Sequence, residues 1–460
     1  MPFNKEDTVK QSDRNPISRR QFLRGLGVGA GAALLAACGG TSAPSAGQAG
    51  AATPAAPATA GVTKIRHTAR VGTQGNYYKE MAQKFNASQN KIEVSVEDFP
   101  GTDPEYLQKI TTMISGNTIG DTMWMASIHN YYNYAGAGVY LPVDDYIKSE
   151  NYDLSPFYKV GLDNARVNGK LYGLPWIVHP GRTGLWYNKN LLQAAGVELP
   201  TDSWTYDDLI AAGKKLTKSD GGKTSQWGFL PENDYFGLAI PIRSFGGDWL
   251  NADGTKVTVD QPPALAGLKA FQAIYQESKI APTPADVQGQ QYGSVFVSGK
   301  TGLWQSGYWG QAVIAGVAKD SFEWGVVPMP KGPSGSQGMF EFDANVILAT
   351  SKAPEAAWEW LKFLSTKEAG VRIAELGSVP GARQDVWTDS TLMSKPYHVV
   401  FKKIMDTISP LVVPKNGRSG ELVAAVANIL TPVWQGTTQI DSVIGPLKAS
   451  LQDIVDKPAL

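Results

Sequence analysis

The sequence contains a single cysteine, Cys38, and four histidines among its 460 residues. One thiol excludes an intrachain disulfide, and so few thiols and imidazoles leave little from which to build a zinc or haem site. Neither a metal nor a cofactor is expected. Surplus charge is also missing, since 42 Lys and Arg face 42 Asp and Glu. Without a net positive field the chain has nothing to hold a polyanion, which argues against nucleic-acid binding. Long apolar runs are absent too: the longest low-polarity stretch, Gly25 to Ala37, reaches only about 20 Å as a helix, against a hydrocarbon core of about 30 Å. Catalytic signatures are lacking as well, with no Gly-x-Ser-x-Gly, no His-Glu-x-x-His and no phosphate-cradling Gly-x-x-x-x-Gly-Lys. What remains is an ordinary globular composition, 42% apolar and 18% charged, in a chain too long for one core. Two lobes or domains are expected.

The N-terminal stretch reads as an address. Ser18-Arg19-Arg20-Gln21-Phe22 precedes the Gly/Ala-rich run, which ends at Leu35-Ala36-Ala37-Cys38. This order resembles a twin-arginine export signal, with Arg19 and Arg20 as its pair, followed by the lipobox of bacterial lipoproteins. The resemblance implies cleavage of residues 1–37 and acylation of the Cys38 sulfur, hence a chain exported and lipid-anchored to the outer face of the membrane. Cleavage removes six basic and three acidic residues and leaves 36 basic against 39 acidic. From 39 to 61 the chain is almost wholly Gly, Ala, Ser, Thr and Pro, a flexible linker by composition. Residues 38–61 therefore tether a body of 62–460.

Within that body, alternation over Ile65–Val71 and Ile92–Val96 predicts half-buried strands, and Tyr78, Met81, Ala82 and Phe85 recur at helical spacing between them. A strand-helix-strand unit of this kind belongs to a parallel sheet, so the class is α/β. Further helices are predicted from Asp103-Pro104, around Leu268 and Phe271, and behind Pro354.

Five ordered stretches carry a family resemblance. Leu185-Trp186-Tyr187-Asn188-Lys189-Asn190-Leu191 runs on through Gly196 and Pro200 to Trp204 and Asp208. Asn168-Gly169-Lys170-Leu171-Tyr172-Gly173-Leu174-Pro175 precedes it, and Phe296 to Leu303, Trp324 to Pro330 and Pro354 to Leu364 follow. Together they resemble the extracellular solute-binding proteins of family 1, the maltose-binding type of ABC-importer receptor. The resemblance implies a type II periplasmic-binding-protein-like fold, two lobes joined by several hinge crossings. Lobe one would comprise 62–175 and 331–378, lobe two 182–324 and 384–460, and the hinges 176–181, 325–330 and 379–383. It also implies a monomer that binds a carbohydrate, delivers it to ABC permease subunits, and catalyses nothing.

Thirteen Trp stand among 46 aromatic residues, and aromatic planes suit the C–H faces of a sugar ring. If two such planes cover about 100 Å² of sugar, burial supplies roughly 2.5 kcal/mol. A micromolar site needs about 8 kcal/mol, so directed hydrogen bonds must supply much of the rest. Aromatics beside polar residues are therefore the expected ligand contacts. Trp309, in Gly307-Tyr308-Trp309, matches the sugar-stacking motif of the relatives, whereas Trp304 is expected in the core. Tyr235 matches a stacking Tyr, with Asn233 standing where relatives place an acid. In lobe one, Asp121 to His129 resembles a strand and loop ending at the cleft, which nominates Trp124, Ser127 and His129. Gln74 lies in the loop after the first strand. Arg182 follows the first crossing, Asp343 takes a position where relatives have small residues, and Arg383 follows the third crossing. Arg182 with Arg383 leaves glycerol phosphate open as a ligand, and Asp343 with Glu232 leaves polyamine open. A secreted glycan-active enzyme is the alternative of another class, because paired carboxylates are invisible in sequence.

Overall fold

In the computed structural model, the described residues are 61–100, 103–127, 130–287, 290–317, 321–414 and 416–458. The export signal, Cys38, most of the tether and His129 lie outside them. β1 (Thr63–Arg70) and β2 (Ile92–Phe99) run parallel and are joined by the helix Thr73–Ser88. That helix buries Tyr78, Met81, Ala82 and Phe85, the face its spacing predicts. β3 (Thr122–Ala126) lies parallel to β1 on the other side. A two-residue ribbon, β4 (Arg166–Val167) and β5 (Lys170–Leu171), turns through Asn168 and Gly169 at φ 51° and 79°, as a primed hairpin turn requires. β6 (Leu174–His179) then ends the first passage through this lobe.

The second sheet takes β7 (Gly184–Asn188), β8 (Lys218–Asp220), β9 (Lys223–Leu230), β10 (Thr301–Ser306) and β11 (Trp324–Pro328), in the order β11-β7-β10-β9-β8. β12 (Glu341–Ile347) returns to the first sheet, whose order is β2-β1-β3-β12-β6, and is antiparallel to both neighbours. β3, β6, β7, β10 and β12 are buried along their whole length, as expected where helices cover both faces of a sheet. Tyr78, Trp124, Trp176, Trp358 and Trp360 belong to one large core, and Leu209, Phe229, Trp249, Phe271 and Trp434 to a second. The C-terminal helices Ser419–Trp434 and Ile440–Val455 pack on the second lobe.

The chain changes sheets between His179 and Gly184 and again between Pro328 and Glu341. Residues 176–179 and 325–328, expected as hinge, are strand residues of β6 and β11. Pro175 in β6 and Gly325 in β11 are tolerated because both are edge strands, whereas Pro180-Gly181 and Pro328 stand where the two strands end. In the third expected crossing, Ala382 N–H donates to Trp176 O and Gln384 N–H to Pro156 O, so this stretch stays bound to the first lobe. The helix Pro396–Met405 then packs on β11 of the second.

Candidate functional site

Strand register brings the site together. β1 ends at Arg70 and β3 at Ala126, while antiparallel β12 begins beside the ends of β3 and β6, with Asp343 opposite Ala126 and Glu341 opposite His179. Arg70, Trp124, His179, Glu341 and Asp343 consequently share one edge of the first sheet. From the second lobe, Glu232 lies just past β9 and Trp309 just past β10, the two parallel strands of that sheet. These are carboxyl ends of parallel strands, where open α/β sheets place their ligands. The two edges face each other across a cleft that is open to solvent, and Arg182, on the first crossing, lines it.

Arg182 is mostly buried and faces three carboxylates. Its Nη2 lies 2.9 Å from Asp234 Oδ2, Nε 3.8 Å from Glu232 Oε2, and Nη1 3.7 Å from Glu341 Oε1. Burial opposes its charge, but Asp234, Glu341 and Glu232 outweigh burial and hold its pKa above the ordinary value. The acids are affected in the opposite sense. Burial raises Glu232 and Glu341 to about 7 each, against the attraction of Arg182. Burial raises Asp343 to about 7 as well, against the hydrogen bond from Trp124 and the charge of Arg70. His179 is lowered to about 3 by burial and by Arg182, so it is neutral, and its Nδ1 accepts from Gly181 N–H at 3.2 Å. Gly181 has φ +70°, and a Cβ there would lie 2.6 Å from Glu341 Oε1, so both backbone angle and space demand glycine.

Trp309 forms the aromatic wall. A Cβ on Gly307 would meet its ring at 2.3 Å, so the indole folds back over a position that only glycine can occupy. His179 meets the indole edge-on, with centroids 5.4 Å apart, and the Arg182 guanidinium lies 5.9 Å from its centre. Opposite, Trp124 Nε1 donates to Asp343 Oδ2 at 2.8 Å, a diagonal cross-strand pair with the Arg70 guanidinium 5.6 Å from the Trp124 ring centre. Gln74, in the first turn of its helix, presents a buried Oε1 to the same space. Gln305, fully buried in β10, organises the loops behind: Glu232 N–H donates to its Oε1, while its Nε2 donates to the carbonyls of Arg182 and Gly237.

Of the residues nominated from sequence, Trp309, Arg182, Trp124, Gln74 and Asp343 line this cleft. Tyr235 does not: it is buried in the second core, stacked on Trp249 at 4.8 Å, because it begins the helix Tyr235–Ser244 on its inward face. Asn233 turns away to Tyr275 and Tyr292, and its neighbour Glu232 takes the cleft position. Ser127 is buried beside β12, where its Oγ accepts from Phe342 N–H. Arg383 pairs with Asp385 at 2.6 Å and does not line the cleft. Trp304 is in the core, as expected. Arg70, His179 and Glu341 were not nominated; Arg70 closing an alternating strand ahead of a helix was the available signal. Among the described residues no cluster of three or more His, Cys, Asp or Glu is arranged to hold a metal ion, and no helix is long and apolar enough to cross a membrane.

Two α/β lobes closing on a polar, aromatic-walled cleft define a two-lobe solute-binding protein. The chain belongs to the bacterial extracellular solute-binding proteins, whose family profile matches residues 70–371. A twin-arginine translocation signal matches residues 16–36, so the protein is exported. The diacetylchitobiose-binding protein of Streptomyces coelicolor is 26% identical over 373 residues, 79% of this chain and 82% of its own. Among solved structures, an ABC substrate-binding protein of Listeria monocytogenes in complex with cycloalternan superposes with a TM-score of 0.73 at 24% identity, covering 85% of this chain and 98% of its own. The GacH receptor of Streptomyces glaucescens, solved unliganded and with acarbose, gives 0.74 at 22% identity, covering 86% and 99%.

Proposed function

We propose that this protein captures an oligosaccharide between its lobes and delivers it to an ABC permease, working as a monomer anchored through acylated Cys38, with no reaction at the site. The observation that carries this reading is Trp309, an indole held at the end of β10 among hydrogen-bonding side chains, which is how a protein grips a sugar face and its hydroxyls together. A second groove shares Glu232, Gln291 and Trp309 with the cleft and continues to Tyr292, which supports a ligand longer than one ring. Two relatives are named for diacetylchitobiose and lactose. A phosphate ester fits poorly, since Arg182 is committed to three carboxylates and Arg383 to Asp385. Delivery requires that ligand bind the closed form better than the open one, because only that difference shifts the population.

Calorimetry of the mature chain against neutral oligosaccharides, sugar phosphates and polyamines tests the reading. Binding of an oligosaccharide supports it; tight binding of a phosphate ester or polyamine with no sugar bound overturns it. Product analysis after incubation with the same sugars separates receptor from hydrolase, and turnover would refute a pure receptor.

A further inference from the structure

The cleft holds more acid than base. Arg70 and Arg182 stand against Glu232, Glu341 and Asp343 in its lining, with Asp234 on the outer nitrogen of Arg182, and His179 is neutral. One guanidinium cannot serve three carboxylates equally: only Asp234 is within hydrogen-bond distance, and its other oxygen already caps the helix Tyr235–Ser244 through Gly237 N–H. Glu232 and Glu341 stand back at 3.8 and 3.7 Å. Glu341 is 4% exposed and lines the cleft, and its Oε1 has no hydrogen-bond partner among the described residues. The donor nearest to that oxygen, Arg182 Nη1, is likewise without a hydrogen-bond partner among them and stands 3.7 Å away, beyond hydrogen-bond distance, so a cation in the cleft would supply the missing donor and offset the surplus of acid. Sugar hydroxyls supply donors alone, whereas an ammonium group supplies donors and charge together.

We infer that the ligand carries a protonated amine seated against Glu232 and Glu341, which makes the cargo an amino-sugar oligosaccharide with at least one free amino group. This rests on the carbohydrate reading, since Trp309 takes the sugar face while the carboxylates take the amine. The Trp309 indole favours an amino sugar over a linear polyamine, which has no ring to stack.

Matched ligands test it: the glucosamine disaccharide with free amines, its N-acetylated form, cellobiose and spermidine, each titrated calorimetrically into the mature chain at pH 7.5 and pH 5. The free-amine disaccharide is expected to bind about tenfold or more tighter than the other two sugars at pH 7.5, the worth of a hydrogen-bonded charge pair. That preference shrinks at pH 5, where Glu232 and Glu341, both raised to about 7, have taken up protons. Glu232→Gln should bring the ratio between free-amine and N-acetylated sugar towards one; the pH comparison needs no variant and stands if the substitution harms folding. Equal or tighter binding of the N-acetylated sugar or cellobiose overturns the amine inference and leaves the carbohydrate reading intact. Spermidine bound with no sugar bound overturns the carbohydrate reading instead, and binding of none of the four overturns both.

Discussion

Replacing Glu341 by glutamine keeps the side chain's shape and removes its titration, and the buried setting fixes the sign of the result. Burial holds Glu341 at about 7 in the folded protein against its ordinary 4.5, so the native state binds that proton more tightly than the unfolded chain does. The ionised group therefore costs no stability below about pH 4.5, progressively more up to about pH 7, and a constant amount above. At about 1.36 kcal/mol per pH step, the full cost is roughly 3 kcal/mol. The wild-type pH profile alone conceals this. His67 and His179, each lowered to about 3 by burial, add stability over much the same range as pH rises towards 6.5. Subtracting one profile from the other cancels the histidines. Urea unfolding of wild type and Glu341→Gln at pH 4.5 and pH 8 is expected to show the variant gaining roughly 3 kcal/mol on the wild type between the two pH values. No gain, or a loss at pH 8, would refute the view that Glu341 is an under-compensated buried acid. The same substitution should weaken an amine ligand, so stability and binding would move in opposite directions.

Other substitutions probe the remaining parts. Trp309→Ala should raise the Kd for sugar about tenfold, since one indole face covering about 50 Å² contributes roughly 1.3 kcal/mol; unchanged affinity by calorimetry would place the ring outside the site. Gly181→Ala combines a left-handed backbone with a Cβ 2.6 Å from Glu341 Oε1, and should cost about 1–2 kcal/mol in urea unfolding and weaken ligand binding as well. Arg383→Ala should leave affinity within about twofold, because that side chain is held by Asp385 away from the cleft. Cys38→Ser should move the exported chain from the membrane to the soluble fraction, and retention on the membrane would refute the anchor.

Local patterns carried the parts of this fold that are local. The alternation in β1 and β2 and the helical spacing of Tyr78, Met81, Ala82 and Phe85 emerge where the residues themselves place them, whereas Trp309 is reached through the family resemblance of Gly307-Tyr308-Trp309 and lines the cleft. What stayed illegible depends on register between distant strands. Glu341 meets His179, and Asp343 meets Ala126, only because β12 inserts antiparallel between β3 and β6 after a long excursion through the other lobe. No periodicity reports that pairing. Tyr235 and Glu232 differ by three positions, yet a helix start turns one onto Trp249 and leaves the other facing the cleft. Pro and Gly near 176–181 and 325–330 do signal an interruption, since β6 ends at His179 before Pro180-Gly181 and β11 ends at Pro328, but the residue at which each strand stops is not legible in the sequence. Gln305, which ties the Arg182 carbonyl to the Glu232 loop, carries no sequence signal because its role lies wholly in what folds over it.

The central claim is that one ligand touches both lobes at once. Hydrogen exchange of the mature chain, with and without the tightest-binding sugar, tests this directly by following the amides of 70–76, 124–127, 230–234 and 305–311. The account predicts simultaneous slowing in the first-lobe segments 70–76 and 124–127 and the second-lobe segments 230–234 and 305–311. Slowing confined to one lobe, or lying away from these segments, would contradict it.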